Sequence, residues 1–150
     1  MAATPSSSRR WGNPVRLAYT AYLVRDYDEA IDWFVRALDW RVVEDTDMGG
    51  GKRWVRVGAA DGGELLLARA ATPDQIAAVG KAAGGRVAYF VHTGDFDRDH
   101  ARMLAVGVKF AEAPRDEAYG RVAVFADLYG NRWDLIEART NAISDDGETA

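Results

Sequence analysis

A chain that carries the same pattern twice is constrained to fold as two copies of one unit. Here Gly63-Glu64-Leu65-Leu66-Leu67-Ala68-Arg69 returns as Trp133-Asp134-Leu135-Ile136-Glu137-Ala138-Arg139, so that Glu64 falls on Asp134. Upstream, Leu23-Val24-Arg25-Asp26-Tyr27-Asp28 is echoed by Phe90-Val91-His92-Thr93-Gly94-Asp95-Phe96-Asp97 with one extra residue, and aligning Val24 with Val91 puts Tyr19 opposite Arg86. Similarity at a long, nearly constant spacing implies a duplicated structural unit. Two such units related by a pseudo-twofold build a site where they meet. Positions paired by the repeat are therefore the first candidates for function.

The 150 residues suit one compact domain, and an apolar share of 48% is enough for a core that needs no disulfide or metal staple. Cysteine is absent, which removes disulfides, thiolate nucleophiles and cysteine-based metal or redox motifs. A net charge of −4 with both signs interspersed argues against a nucleic-acid partner. No apolar run reaches membrane-spanning length, and residues 1–14 lack the apolar stretch of a secretory signal. The expected location is cytoplasmic. Residues 1–14 and 140–150, the latter acidic, read as disordered tails, with Trp11 expected to pack back on the body.

Residues 15–24 read as a strand. Asp26 caps a helix over 27–38, in which Ala30, Ile31, Phe34, Val35 and Leu38 make one apolar face. Strands follow over 40–46 and 52–58 around the run Gly49-Gly50-Gly51, and Asp61-Gly62-Gly63 turns the chain into a strand over 64–70. That order is βαβββ. A short linker helix fits within 71–84, opened by Thr72-Pro73-Asp74. The order then repeats: strand 86–93, helix 96–106 stopped by Gly107, and strands 108–112, 119–126 and 132–138. Asp127-Leu128-Tyr129-Gly130-Asn131 is the tight turn before the last strand. One helix per unit, without strand–helix alternation, makes the class α+β.

Two βαβββ units, an Asp-aromatic-Asp helix start and a D-x-x-G-N turn before a closing strand together resemble the vicinal oxygen chelate superfamily of glyoxalase I, bleomycin-resistance proteins and extradiol dioxygenases. The resemblance covers residues 15–139. It implies one domain with units 15–70 and 86–139 and a linker 71–85. It also implies an open, U-shaped eight-stranded sheet with helices on the convex side, a ligand cavity on the concave side and often a homodimer. In metal-dependent members the ligands, mostly His and Glu, come from the first and fourth strands of each unit. Carried over, those positions are Tyr19, Glu64, Arg86 and Asp134, the four already paired by the repeat.

These four make a poor metal site. A guanidinium has only donors and keeps its charge, so Arg86 opposes a second cation, and borderline metals want imidazole. His100 falls on a helix, and His92 sits at a strand end and reads as facing solvent, although it shares parity with Arg86, Ala88 and Phe90 and could face the cavity. No metal and no cofactor is therefore expected. Arg86 is expected to bond to Glu64 or Asp134, either as an internal ion network that replaces the metal or as part of a ligand-contacting set; both stay open. The quartet keeps one net negative charge, suited to a neutral or cationic ligand. Arg53 and Arg121 correspond under the repeat and read as rim residues, although Arg121 alternates with Ala123 and Phe125 and could line the cavity. Trp33 and Trp133 read as core.

The leading expectation is a metal-free, non-enzymatic protein that sequesters a small, partly aromatic molecule, with ligand contacts from Tyr19, Leu23, Glu64, Leu66, Arg86, Phe90, Arg121, Phe125 and Asp134. One alternative is an enzyme of the same superfamily, a lyase, isomerase or dioxygenase, using Glu64 and Asp134 as catalytic acid–base groups or as ligands of a hard metal. Another is a structural or regulatory dimer with a vestigial cavity. The partners expected are a small molecule and a second copy of the chain, with neither nucleic acid nor membrane.

Overall fold

The computed structural model describes residues 12–139, so the expected tail segments 1–11 and 140–150, with Trp11, lie outside the described residues. The first unit runs β1 (Tyr19–Val24), α1 (Tyr27–Leu38), β2 (Arg41–Gly49), β3 (Lys52–Gly58) and β4 (Glu64–Arg69). A linker with α2 (Pro73–Ala78) and an irregular turn (Ala82–Gly85) leads to the second unit. That unit runs β5 (Val87–His92), α3 (Phe96–Ala105), β6 (Lys109–Phe110), β7 (Arg115–Glu117), β8 (Gly120–Ala126) and β9 (Arg132–Ala138). The class is α+β, built from two βαβββ units.

Each unit closes its own sheet. The first has the order β1-β4-β3-β2 and the second β5-β9-β8-β6, with β7 also on β8. In both, the first strand lies parallel to the last, Tyr19 beside Glu64 and Phe90 beside Asp134. The eight strands of the duplicated pattern are joined by a ninth because Pro114 lacks an N–H and interrupts the third element of unit two. The strand expected over 108–112 shortens to β6, and the stretch expected as a loop before 119 carries β7; both pair with β8. β1 begins at Tyr19 rather than at residue 15, since its partner β4 begins at Glu64, and Val15 ahead of it is fully exposed.

Both long helices start on an aspartate. Asp26 accepts the Glu29 N–H at 2.8 Å and Asp95 accepts the Arg98 N–H at 3.2 Å. The buried face of α1, Ala30, Trp33, Phe34 and Ala37, packs in one cluster with Val55, Val57, Leu65 and Leu67 of its own sheet. It also reaches across. Phe34 lies 5.2 Å from Tyr22 and 5.9 Å from Trp133, and Trp33 stacks on Phe125. The units thus share a single aromatic core instead of owning one each.

A buried carboxylate sits at the junction. Asp127 accepts the Tyr22 hydroxyl at 2.5 Å, the Trp133 indole N–H at 2.9 Å and the Asn131 amide at 3.0 Å, besides the backbone N–H groups of Tyr129 and Asn131. Burial beside this charge pushes the Tyr22 hydroxyl far above its ordinary pKa, so it stays a donor. Tyr129, in the same turn, donates to Glu29 at 2.6 Å and accepts the Arg25 N–H, returning to unit one a second time. Burial and the Glu29 carboxylate push its hydroxyl up to about 12. The linker is fitted to this turn. Gly80, at φ 82°, passes so close that a Cβ there would fall 2.1 Å from the Tyr129 carbonyl oxygen.

Asp127→Ala strands three buried side-chain donors and is expected to cost on the order of 3–5 kcal/mol, whereas Tyr22→Phe removes one charge-assisted bond and costs about 1.5–3 kcal/mol. Urea denaturation followed by circular dichroism measures both, and equal losses for the two variants would contradict the assignment of Asp127 as the shared acceptor.

Candidate functional site

In a strand, alternate side chains share a face. On the first sheet Tyr22, Val24, Val55, Val57, Leu65 and Leu67 turn to the core, which leaves Tyr19, Leu23, Trp54, Arg56, Glu64 and Leu66 on the opposite face. Here Glu64 does not meet Arg86. Its carboxylate pairs with Arg56 on the neighbouring β3, and Arg56 also reaches Glu44 at 3.2 Å and lies over the Tyr19 ring at 5.5 Å. Trp54 meets Tyr19 edge-on at 6.1 Å. The cation that neutralises Glu64 is thus local to the β3–β4 hairpin, one diagonal step across the pair.

On the second sheet Tyr89, Trp133, Ala123 and Phe125 face the core, leaving Phe90, Asp134, Val124, Ile136 and Val122 opposite. Three expected site residues are corrected here. Phe125 has no exposed surface, because the face it shares with Ala123 is the helix-covered one. Arg121 shares that face too: it lies over the Phe96 ring of α3 at 5.2 Å and bridges to Asp97 at 3.3 Å, away from any cavity. Arg86 is exposed just ahead of β5 and bonds to neither Glu64 nor Asp134, since each carboxylate belongs to a different sheet and Arg86 precedes the strand that would carry it inward. The expected ion network does not form.

Asp134 stands alone. It is 8% exposed, and its Oδ1 is buried without a hydrogen-bond partner, the one such side-chain atom among the described residues. Burial raises its pKa, with Arg115 and Arg132 acting against that shift. Neither arginine bonds to it. The Arg115 guanidinium is taken by Glu112 and Glu117.

A cleft of about 670 Å³ lies between the units. One wall is the β3–β4 turn with Glu64 and Thr20; the other is β5, over a floor of Trp40 and Trp133. Of the expected ligand residues it brings together Glu64 and Phe90; Tyr19, Leu23 and Leu66 share a sheet face with Glu64 but do not line it, and neither does Asp134. Sequence reasoning missed Trp40 and Tyr89, whose parity points to the core, and both reach the cleft because it cuts into the seam between the sheets. It also missed Arg56, although the Asp61-Gly62-Gly63 turn fixes the hairpin register that sets Arg56 beside Glu64.

The Glyoxalase/Bleomycin resistance protein/Dioxygenase superfamily model matches residues 16–135, and the chain belongs to this superfamily. It is 48% identical over 124 residues to an uncharacterized protein of Shewanella frigidimarina (strain NCIMB 400), covering 81% of this chain and 92% of that one. Among solved structures it is similar to UcmS2, with a TM-score of 0.72, 25% identity and coverage of 84% of this chain and 100% of the other. TnmS3, an antibiotic binding protein from Streptomyces sp. CB03234, shares the fold with a TM-score of 0.69, 24% identity and coverage of 84% and 98%.

The metal of the metal-dependent members does not fit this donor set. Glu64 is committed to Arg56, Arg86 lies outside, Asp134 has no second anionic or imidazole neighbour, and no group of three His, Asp or Glu able to hold an ion occurs among the described residues.

Because burial raises the folded-state pKa of Asp134, its contribution is most favourable at low pH and is lost as pH rises through that value. Asp134→Asn is expected to melt above the wild type at neutral pH, with the difference vanishing below the ordinary carboxylate range. Thermal melts from pH 3 to 8 check the sign.

Proposed function

We propose that this protein binds a small, partly aromatic organic molecule in the cleft between its two units, without a metal, and that residues 15–139 act as one binding domain. The observation that carries this reading is the make-up of the cleft: aromatic walls from Trp40, Tyr89, Phe90 and Trp133, with Thr20, Asp61, Glu64 and His92 as the polar side chains outside those walls. Its volume of about 670 Å³ suits a ligand of drug size. Glu64 is paired with Arg56, so Asp61 supplies the cleft's remaining acidic charge, which favours a neutral or cationic ligand over an anion. The antibiotic-binding TnmS3 supports the reading to the extent that this scaffold can host an organic molecule.

A homodimer belongs to the same proposal. The face of the first sheet that carries exposed Tyr19 and Ala21 with half-buried Leu23, Trp54 and Leu66 is apolar enough to pack on a second copy, and twofold dimers are the commonest assembly. A cytoplasmic location accompanies it; no helix among the described residues is long and apolar enough to cross a membrane. Acid–base catalysis remains as a second reading on one observation, the raised pKa of Asp134, and it lacks the paired Glu64, whose carboxylate is held by Arg56.

Calorimetry with 6-methoxyquinoline as an aromatic probe is expected to give saturable binding that Phe90→Ala weakens roughly tenfold. Absence of heat at millimolar probe, with no rise in melting temperature, would remove the cleft as a binding site. Light scattering is expected to give twice the chain mass; a concentration-independent monomer would remove the dimer alone.

A further inference from the structure

We infer that the cleft takes a short, extended peptide, which adds as a strand to the free edge of β5. The inference rests on the cleft-binding reading and names the class of its ligand. Its basis is the way β5 meets the cleft. A strand that offers one face to a cavity lines it with alternate residues. β5 lines this one with five residues in succession, Ala88, Tyr89, Phe90, Val91 and His92. The cleft therefore runs along the edge of the strand, where main-chain groups point.

Which groups point there follows from the ladder. β5 ends its sheet and pairs with β9 alone, in parallel. The Thr93 N–H donates to the Ile136 carbonyl at 2.8 Å, so Thr93 turns its main chain toward β9. Successive residues of a strand turn their N–H and C=O to opposite edges. Val91 and Tyr89 thus also turn to β9, while Phe90 and His92 turn outward. Both outward residues are exposed, and among the described residues no backbone hydrogen bond outside the strand ladders reaches either. β1, which supplies Thr20 to the facing wall, ends the other sheet and does not pair with β5.

Open sheet edges are normally blunted by charge, bulges or shortness, because unpaired main chain recruits other strands. This chain follows the rule at the far end of each sheet. β2 carries Arg41, Glu44, Asp45 and Asp47 and two register shifts. β6 has two residues, and β7 is Arg115-Asp116-Glu117. β5 contains no Lys, Arg, Asp, Glu or Pro, and its single register shift, between Val87 and Tyr89, lies ahead of Phe90. β1 is uncharged as well. The bare edges are the ones that border the cleft, and main-chain pairing is how extended peptides bind such an edge. From Ala88 to His92 the edge runs roughly 13 Å, enough for a partner of about three residues. Its side chains alternate, so one lies over the floor of Trp40 and Trp133, which suits an aromatic ring. Asp61 disfavours an acidic peptide.

The test titrates N-acetyl-alanyl-phenylalanyl-alaninamide into the full chain by calorimetry, beside the same peptide methylated at its amide nitrogens and 6-methoxyquinoline. The parent peptide is expected to bind about tenfold or more tightly than its methylated form, which keeps the side chains and loses the donors. Proline on an edge strand removes one outward N–H, so His92→Pro is expected to bind the parent about tenfold more weakly than His92→Ala does. In the wild type, saturating peptide is expected to slow amide hydrogen exchange at Phe90 and His92 about tenfold or more, a readout that requires no variant to fold. Equal binding of the two peptides overturns the inference. So does equal binding of the parent by folded His92→Pro and His92→Ala, or exchange at Phe90 and His92 that the peptide leaves unchanged. Quinoline binding without peptide binding overturns it too, and leaves the cleft reading standing. Failure of peptide and quinoline alike removes both.

Discussion

The arrangement of this molecule depends on one buried negative charge. A duplicated βαβββ unit needs a reason for its copies to stay in one relative position, and apolar packing alone tolerates sliding. Asp127 supplies direction. It lies in the turn of unit two, yet one of its donors, Tyr22, comes from β1 of unit one. The charge is worth burying only while every donor is in place, because a partly satisfied carboxylate is worse than an apolar residue. The units therefore dock in one geometry. The aromatic cluster of Phe34, Trp40 and Trp133 then fills the space that this geometry defines.

That docking also makes the cleft. Tyr22 and Trp133, which both serve Asp127, lie on the strands next to its walls, and Trp133 is part of its floor. The cleft is the gap left where two sheets meet without sharing hydrogen bonds, between the β3–β4 turn and β5. Its shape is coupled to the interface, so a change that loosens Asp127 reaches the ligand site without touching a ligand-contacting residue.

Much of the fold was legible because the repeat fixed element order and strand alternation fixed faces. The caps Asp26 and Asp95, the core positions of Trp33 and Trp133, and the shared face of Glu64 and Leu66 all follow from spacing. The site was legible only in part. Parity says that two residues share a face, not which face: Arg121, Ala123 and Phe125 were grouped correctly, but their side is the helix-covered one. Nor does a repeat-based pairing measure distance between sheets. Arg86 was matched to Glu64 and Asp134 by sequence position, whereas the cation nearest Glu64 is Arg56, set by a two-strand hairpin. Asp127 read as turn chemistry, which it is; its long-range donor Tyr22 has no local signature.

Three carboxylates at comparable places in this architecture have three different fates, and the differences are physical. Asp127 is buried and saturated with donors, so it specifies structure. Glu64 is half-buried and neutralised by Arg56, so its charge is largely spent within its own sheet. Asp134 is buried with an acceptor oxygen left over, in a protein whose other buried polar side-chain atoms among the described residues all find partners. The repeat makes Glu64 and Asp134 counterparts, but the diagonal neighbour on the adjacent strand separates them: Arg56, opposite Leu66, stands there in unit one and Val122, opposite Ile136, in unit two. A single position on the neighbouring strand, arginine or valine, thus separates a carboxylate neutralised within its own sheet from one buried without a cation bonded to it.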